Sequence, residues 1–203
     1  MNPQIRRIRP NEWHQLRELR LQALADAPLA FAATLAQEEA FPEKLWRERA
    51  VSGAAGADRI TFIAEDEGQW IGSATDIAGS EPSSMLVGMF VTEPARGRGI
   101  GIALVESIVG WAQSRGAARL VLWVTASNEV AIALYRRCGF RPMGITRPLA
   151  HTPTMIECEM VRSQSLAAGL PTATVWPVRS LAAPSLLLQK KNPTTLSLAR
   201  RTA

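Results

Sequence analysis

The sequence predicts an α/β domain built around one strand–turn–helix unit. An apolar run from Met85 to Val91 leads through Arg96-Gly97-Arg98-Gly99-Ile100-Gly101 into an amphipathic helix pattern, about Ile100 to Arg115. Two strand-like runs, Arg59 to Glu65 and Trp70 to Ile77, flank Glu67-Gly68, a hairpin signal. The chain has 203 residues and is 47% hydrophobic, enough for one such domain with a core of its own.

The elements can be read in order. Gln4 to Arg9 is a short first strand. Asn11 is placed to cap a helix running to about Ala25, with Trp13, Leu16, Leu19, Ala23 and Leu24 facing inward. Pro28 to Gln37 reads as a loop or broken helix. Pro42 opens a second helix with Leu45 and Trp46 inward, and Ser52 to Ala57 reads as a loop. After the hairpin, Ala78 to Ser83 turns the chain into a strand from Ser84 to Val91. The glycine turn, its helix and a strand from Arg119 to Val124 follow. Asn128 or Ser127 caps a helix whose apolar positions are Val130, Ile132, Ala133 and Leu134, and Gly139 stands where a left-handed C-cap glycine belongs. A strand around Phe140, a loop rich in Pro and Gly and a last strand from Thr154 to Val161 end the domain. In that strand Ile156, Cys158 and Met160 alternate with Glu157 and Glu159.

Charge is informative once located. The formal net charge is +5. It sits in residues 163–203, where Arg179, Lys190, Lys191, Arg200 and Arg201 face no acid, so residues 1–162 are balanced. The domain therefore lacks the basic footprint of a nucleic-acid binder. Prolines 171, 177, 184 and 193 interrupt the segment, which reads as a disordered basic extension after a domain at 1–162. No apolar run reaches the roughly 18 residues that span a bilayer, and Met1 to Arg7 lacks the apolar core of a signal peptide. Two cysteines, Cys138 and Cys158, and two histidines, His14 and His151, make neither a disulfide scaffold nor a metal set. A cytoplasmic protein without a metal, a nucleic-acid partner or a membrane partner is expected.

The glycine turn is the chemical signal. A strand entering a helix through glycines presents free N–H groups and the positive end of the helix dipole, and both suit phosphate. Arg96 and Arg98 add charge for a pyrophosphate. A Walker loop needs Gly-Lys-Ser/Thr, and no Lys follows these glycines. A dinucleotide fingerprint needs a third glycine where Ile102 or Leu104 stands, and an acid after the next strand, which ends in Thr125-Ala126-Ser127.

The pattern Arg96-x-x-Gly99-x-Gly101 resembles the acetyl-CoA pyrophosphate loop of the GNAT superfamily of N-acetyltransferases. Asn128-x-x-Ala131-x-x-x-Tyr135 and the ending Cys138-Gly139-Phe140 look like its second motif. Asn128 and Tyr135 lie seven positions apart, about two helical turns, and so on one face.

This resemblance covers about residues 4 to 162. It implies a mixed, mostly antiparallel twisted sheet with a V-shaped splay, flanked by about four helices, in the order β–α–α–β–β–β–α–β–α–β–β. It implies an acetyl-CoA-dependent N-acetyltransferase in which a primary amine attacks the thioester directly, with acetyl-CoA as co-substrate. Backbone groups of Met89, Phe90 and Val91 would pair with the pantetheine, and an N–H of Met89 or Phe90 would hold the oxyanion. N–H groups of Arg96, Gly97, Arg98, Gly99, Ile100 and Gly101 would hold the pyrophosphate. Asn128 and Tyr135 would face the pantetheine and sulfur, with Tyr135 protonating the leaving thiolate. No acid lies in Met85 to Val91, a common place for the base in the family, so Glu38, Glu39 and Glu81 are the candidates. The acceptor is a small-molecule or peptide amine, and dimers common in the family imply a homodimer. Another acyl-CoA acyltransferase and a catalytically silent acyl-CoA-binding regulatory module remain alternatives.

Overall fold

A computed structural model describes residues 3–79 and 82–164. The elements are β1 (Gln4–Arg7), α1 (Trp13–Asp26), a 3-10 turn (Pro28–Ala30), α2 (Leu35–Glu39), α3 (Glu43–Ala55), β2 (Arg59–Asp66), β3 (Gln69–Ala78) and β4 (Ser83–Val91). A second 3-10 turn (Glu93–Ala95), α4 (Ile100–Ser114), β5 (Arg119–Thr125), α5 (Glu129–Arg137), β6 (Arg141–Leu149) and β7 (Thr152–Ser163) follow. The seven strands form one sheet in the order β1-β2-β3-β4-β5-β7-β6. Every pairing is antiparallel except that of β4 with β5. The α/β order is the expected one, with the short α2 making five helices rather than four.

Local chemistry explains the β2–β3 hairpin. Glu67 (φ 49°) and Gly68 (φ 80°) both take left-handed backbone, the pair of conformations that lets a two-residue turn follow the strand twist. The sheet then buries both faces. Ile60, Ala64, Ala74, Leu86, Leu122 and Met160 meet the apolar side of α4, whose Leu104, Val105 and Ile108 are fully buried. Each such side chain contributes about 1.5–3 kcal/mol by leaving water. On the opposite face, Ile63 packs with Trp13 and Trp46 of α1 and α3, and Phe90 packs with Leu19, Leu24 and Phe31.

Two irregularities open the sheet. Thr75 pairs with Val87 and Ser73 with Phe90, so Ala74 faces both Gly88 and Met89, a bulge made possible by Gly88 at φ 62°. β4 pairs with β5 only through Ser83↔Arg119, Ser84↔Leu120 and Met85↔Val121. From Leu86 onward the two strands part, and this is the V-shaped splay.

Five local expectations are corrected. Asn11 does not cap α1: Glu12 stands at the N-cap, and its carboxylate takes the Arg9 N–H at 2.7 Å and the Arg6 guanidinium. Residues 52–55 continue α3 instead of forming a loop. Gly53 is tolerated there because a Cβ would stand 2.7 Å from Thr61 Oγ1, so close packing outweighs poor helix propensity. The Pro- and Gly-rich stretch after Phe140 is β6, whose Pro142 and Pro148 are accommodated because it is an edge strand. Val130 (81% exposed) and Ala133 point outward, since α5 turns Tyr135 inward instead. β7 extends through Ser163, and Gln164 is buried with its N–H on the Ala118 carbonyl at 2.8 Å, two residues past the expected boundary. Residues 165–203, and with them most of the expected extension, lie outside the described residues.

Candidate active site

The turn into α4 has the geometry of an anion cradle. Gly97 (φ 76°) and Gly99 (φ 80°) are left-handed, and nothing lies within 4 Å of a Cβ at either, so backbone conformation rather than crowding selects glycine. The Ala103 N–H closes on the Gly99 carbonyl at 3.1 Å. The N–H groups of Ile100, Gly101 and Ile102 therefore precede the helix ladder, where an anion is favoured. Gly101 is selected differently: a Cβ would stand 2.6 Å from Leu134 Cδ1 and 2.9 Å from Met89 Cε. At this one residue the turn, the splayed strand and α5 meet. The arginines are partly committed within the protein. Arg96 Nε donates to the Val91 carbonyl at 3.1 Å, and Arg98 pairs with Asp66 at 2.9 Å.

The second motif is built as two caps. Asn128 Oδ1 accepts the Ala131 N–H at 3.1 Å, so the expected pantetheine ligand spends one side-chain atom on capping α5. At the other end the Phe140 N–H reaches the Tyr135 carbonyl at 3.0 Å and the Gly139 N–H reaches that of Arg136 at 3.0 Å, with Gly139 at φ 83°. This is a Schellman ending, and its usual apolar contact is the Tyr135–Phe140 ring pair, 5.8 Å apart and edge-on. Tyr135 is buried, and burial, then Cys138, raises its pKa. The phenol stays protonated at neutral pH, as a proton donor must.

The three carboxylates proposed as bases fare differently. Glu38 is buried in a guanidinium clamp, with Arg20 Nη2 and Arg49 Nη1 each 2.9 Å from its oxygens. Burial alone would raise its pKa, but the two arginines prevail and hold it below the usual carboxylate range. Such a group is a structural counter-ion, because its proton affinity is too low for a base. Glu39 is exposed on α2. Glu81 lies outside the described residues.

Two further acids emerge from the tertiary structure. Asp76 of β3 is fully buried, and burial pushes its pKa up to about 6, with Ser84 and the Ile77 N–H opposing. Its neighbours in register are Ile60 and Leu86, which places it on the α4 face beneath the helix. Glu157 of β7 stands opposite Thr125 in β5 and Arg147 in β6. It is buried, accepts Arg147 Nε at 2.9 Å, and that guanidinium lies 4.0 Å over the Trp123 ring. Alternation in the last strand already turned Glu157 away from the α4 face. That its face is covered by residues 28–31 and the Arg147 side chain could not be read from sequence.

Solved structures share this frame. The PaiA N-acetyltransferase of Thermoplasma acidophilum, crystallised in complex with coenzyme A, superposes with a TM-score of 0.66 at 15% identity, covering 81% of this chain and 100% of its own. Among curated proteins, an uncharacterized N-acetyltransferase of Methanocaldococcus jannaschii is 39% identical over 59 residues, 29% of this chain and 26% of its own length. The [ribosomal protein bS18]-alanine N-acetyltransferase of Escherichia coli K12 is 33% identical over 109 residues, 53% of this chain and 70% of its own. The first curated relatives are matched over only 26%, 27% and 24% of their own length. The family model of the acetyltransferase (GNAT) family matches residues 13–140. The chain belongs to the GNAT acetyltransferase family.

Proposed function

We propose that this protein transfers the acetyl group of acetyl-CoA to a primary amine in a ternary complex. The observation that carries this reading is the junction at Gly101, where the anion cradle, the open side of β4 and the Tyr135 helix converge. The N–H groups from Arg96 to Gly101 hold the pyrophosphate. The freed backbone of Met89, Phe90 and Val91 pairs with the pantetheine, and an N–H of Met89 or Phe90 takes the oxyanion. The splay supplies the room, since β5 leaves β4 after Met85. Most of the rate gain comes from holding amine and thioester in register. The Tyr135 hydroxyl, kept protonated by burial, protonates the departing thiolate. The Asn128 Nδ2, left over by the cap, is the pantetheine contact.

The acceptor is a small-molecule or peptide amine. Among the described residues, no helix is long and apolar enough to cross a membrane, and a cytoplasmic site of action fits the proposal. The catalytic domain spans residues 1 to about 164. Calorimetric titration with acetyl-CoA and coenzyme A, with NAD and ATP as controls, tests the cofactor assignment. Selective binding of the CoA pair supports it, and folded protein that binds neither would remove it. Thiol release in the presence of an amine separates an enzyme from a silent acyl-CoA-binding module.

A further inference from the structure

The geometry points to Glu157 as the carboxylate that receives the acceptor amine and takes its proton, with Arg147 and Trp123 as its positioning residues. This rests on the acetyl-transfer reading above and assigns its missing base.

Position along the cleft comes first. β4 and β5 run parallel and in register at Met85↔Val121. Four residues further along β5 is Thr125, and with the bulge adding one residue to β4 its level counterpart across the opening is Phe90, which shares its face. Glu157 is the residue paired with Thr125. It therefore lies one strand behind the β5 wall, at the height where Met89 and Phe90 would hold the thioester.

The face is the second observation. Val124 and Cys158 belong to the core beneath α4 and α5, so Thr125 and Glu157 point to the other side. The Thr125 hydroxyl donates to the Leu29 carbonyl there. An amine entering on that side meets the thioester from the face opposite α4, whose N-terminus holds the pyrophosphate. Asp76, despite its raised pKa, is on the α4 face and cannot reach it.

The state of the carboxylate is the third. One oxygen, Oε2, is fixed by Arg147. The other, Oε1, makes no hydrogen bond to a described residue and is not fully occluded, unlike the Asp76 oxygens. The charged or titratable groups on that side are Arg147 from β6, Glu159 from β7 and His151 from the β6–β7 turn. His151 is bound to Thr152 and the Phe31 carbonyl at 2.9 Å each. Behind Phe31 stands Arg20, paired with Glu38. The covering turn Pro28–Ala30 brings no charge.

The proton balance closes. Glu157 Oε1 takes one proton from the substrate ammonium and later releases it to water. The freed nitrogen lone pair forms the C–N bond while the carbonyl pair moves to oxygen. Collapse breaks the C–S bond, the thiolate takes the Tyr135 proton, and the proton shed by the amide nitrogen restores Tyr135. One proton appears per turnover.

The test uses the full chain, acetyl-CoA and an alanyl peptide with a free N-terminus, with thiol release followed from pH 6 to pH 10. Glu157→Gln should bind acetyl-CoA as the wild type does and lose about 100-fold in kcat/KM at pH 7. The gap should close above pH ~8, where the α-amine deprotonates unaided. Arg147→Gln keeps the carboxylate but removes the group that fixes Oε2, so kcat should fall about 10-fold with KM for acetyl-CoA unchanged, and Arg147→Lys should restore part of it. A loss equal at every pH or no loss in Glu157→Gln, or a wild-type kcat in Arg147→Gln, would overturn the assignment. Wild-type protein that binds no acetyl-CoA, or releases no thiol with the peptide or with any of a panel of small-molecule amines, would instead overturn the acetyl-transfer reading.

Discussion

Asp76→Asn is the perturbation whose size the structure allows to be worked out. The Asp76 carboxyl is fully buried, and neither oxygen has a hydrogen-bond partner within bonding geometry. Burial pushes its pKa from 3.8 up to about 6. Below the unfolded value both states hold the proton and the group is neutral to stability. Between the two values the unfolded chain ionises first, so stability falls as pH rises. Above about pH 6 the penalty levels off near 3 kcal/mol, from the ~1.4 kcal/mol carried by each pKa unit. Asparagine never ionises and escapes this penalty, although its amide, lacking partners, costs about 1–2 kcal/mol at every pH. The variant should therefore gain on the wild type by about 2.5 kcal/mol between pH 4 and pH 7.5. Urea midpoints for both proteins across that range measure the gain. Taking the difference cancels carboxylates such as Glu12 and Glu38, whose lowered pKa values give the opposite slope. Turnover should survive, because a perturbed acid facing away from the cleft is not the base. A difference that stays flat with pH would refute the burial argument, and lost turnover in a folded variant would refute the placement of Asp76.

Three other substitutions follow from the site. Tyr135→Phe keeps the ring contact with Phe140 and removes only the hydroxyl, so kcat should fall about 100-fold while coenzyme A affinity holds; steady-state kinetics beside a binding titration read both. Gly99→Glu puts a side chain on backbone at φ 80° and a negative charge in the anion cradle, so acetyl-CoA binding should disappear from calorimetry while the far-UV spectrum persists. Glu38→Gln leaves the Arg20 and Arg49 guanidinium groups without their anion, and thermal unfolding should show a loss of roughly 3 kcal/mol at neutral pH. The wild-type contribution of Glu38 is present above the unfolded carboxylate pKa and lost as pH falls through its lowered folded value, so the variant's deficit should shrink in acid.

The legible part of the site was local. The Arg-x-x-Gly-x-Gly turn, the Asn128 cap and the Cys138-Gly139-Phe140 ending each follow from bonds made within a few residues, so sequence spacing carries them. The misreadings were of the other kind. Ser52 to Ala57 reads as a loop because the packing of Gly53 on Thr61, which holds the last turn of α3 against β2, is a tertiary contact that no local pattern announces. Glu38 was a candidate base because nothing nearby announces that Arg20 and Arg49 would converge on it from two other helices.

The sequence by itself determined the order of elements, the hairpin, the anion cradle and the family. Each is encoded by hydrophobic period, glycine placement or capping chemistry over a short span. Only the tertiary structure decided where β4 and β5 separate, that Arg20 and Arg49 clamp Glu38, and that Glu157 is set opposite Thr125 beside the splay. Strand register and ion pairing are set by side chains that meet across 10 to 60 residues of chain, and those meetings exist only once the sheet has formed.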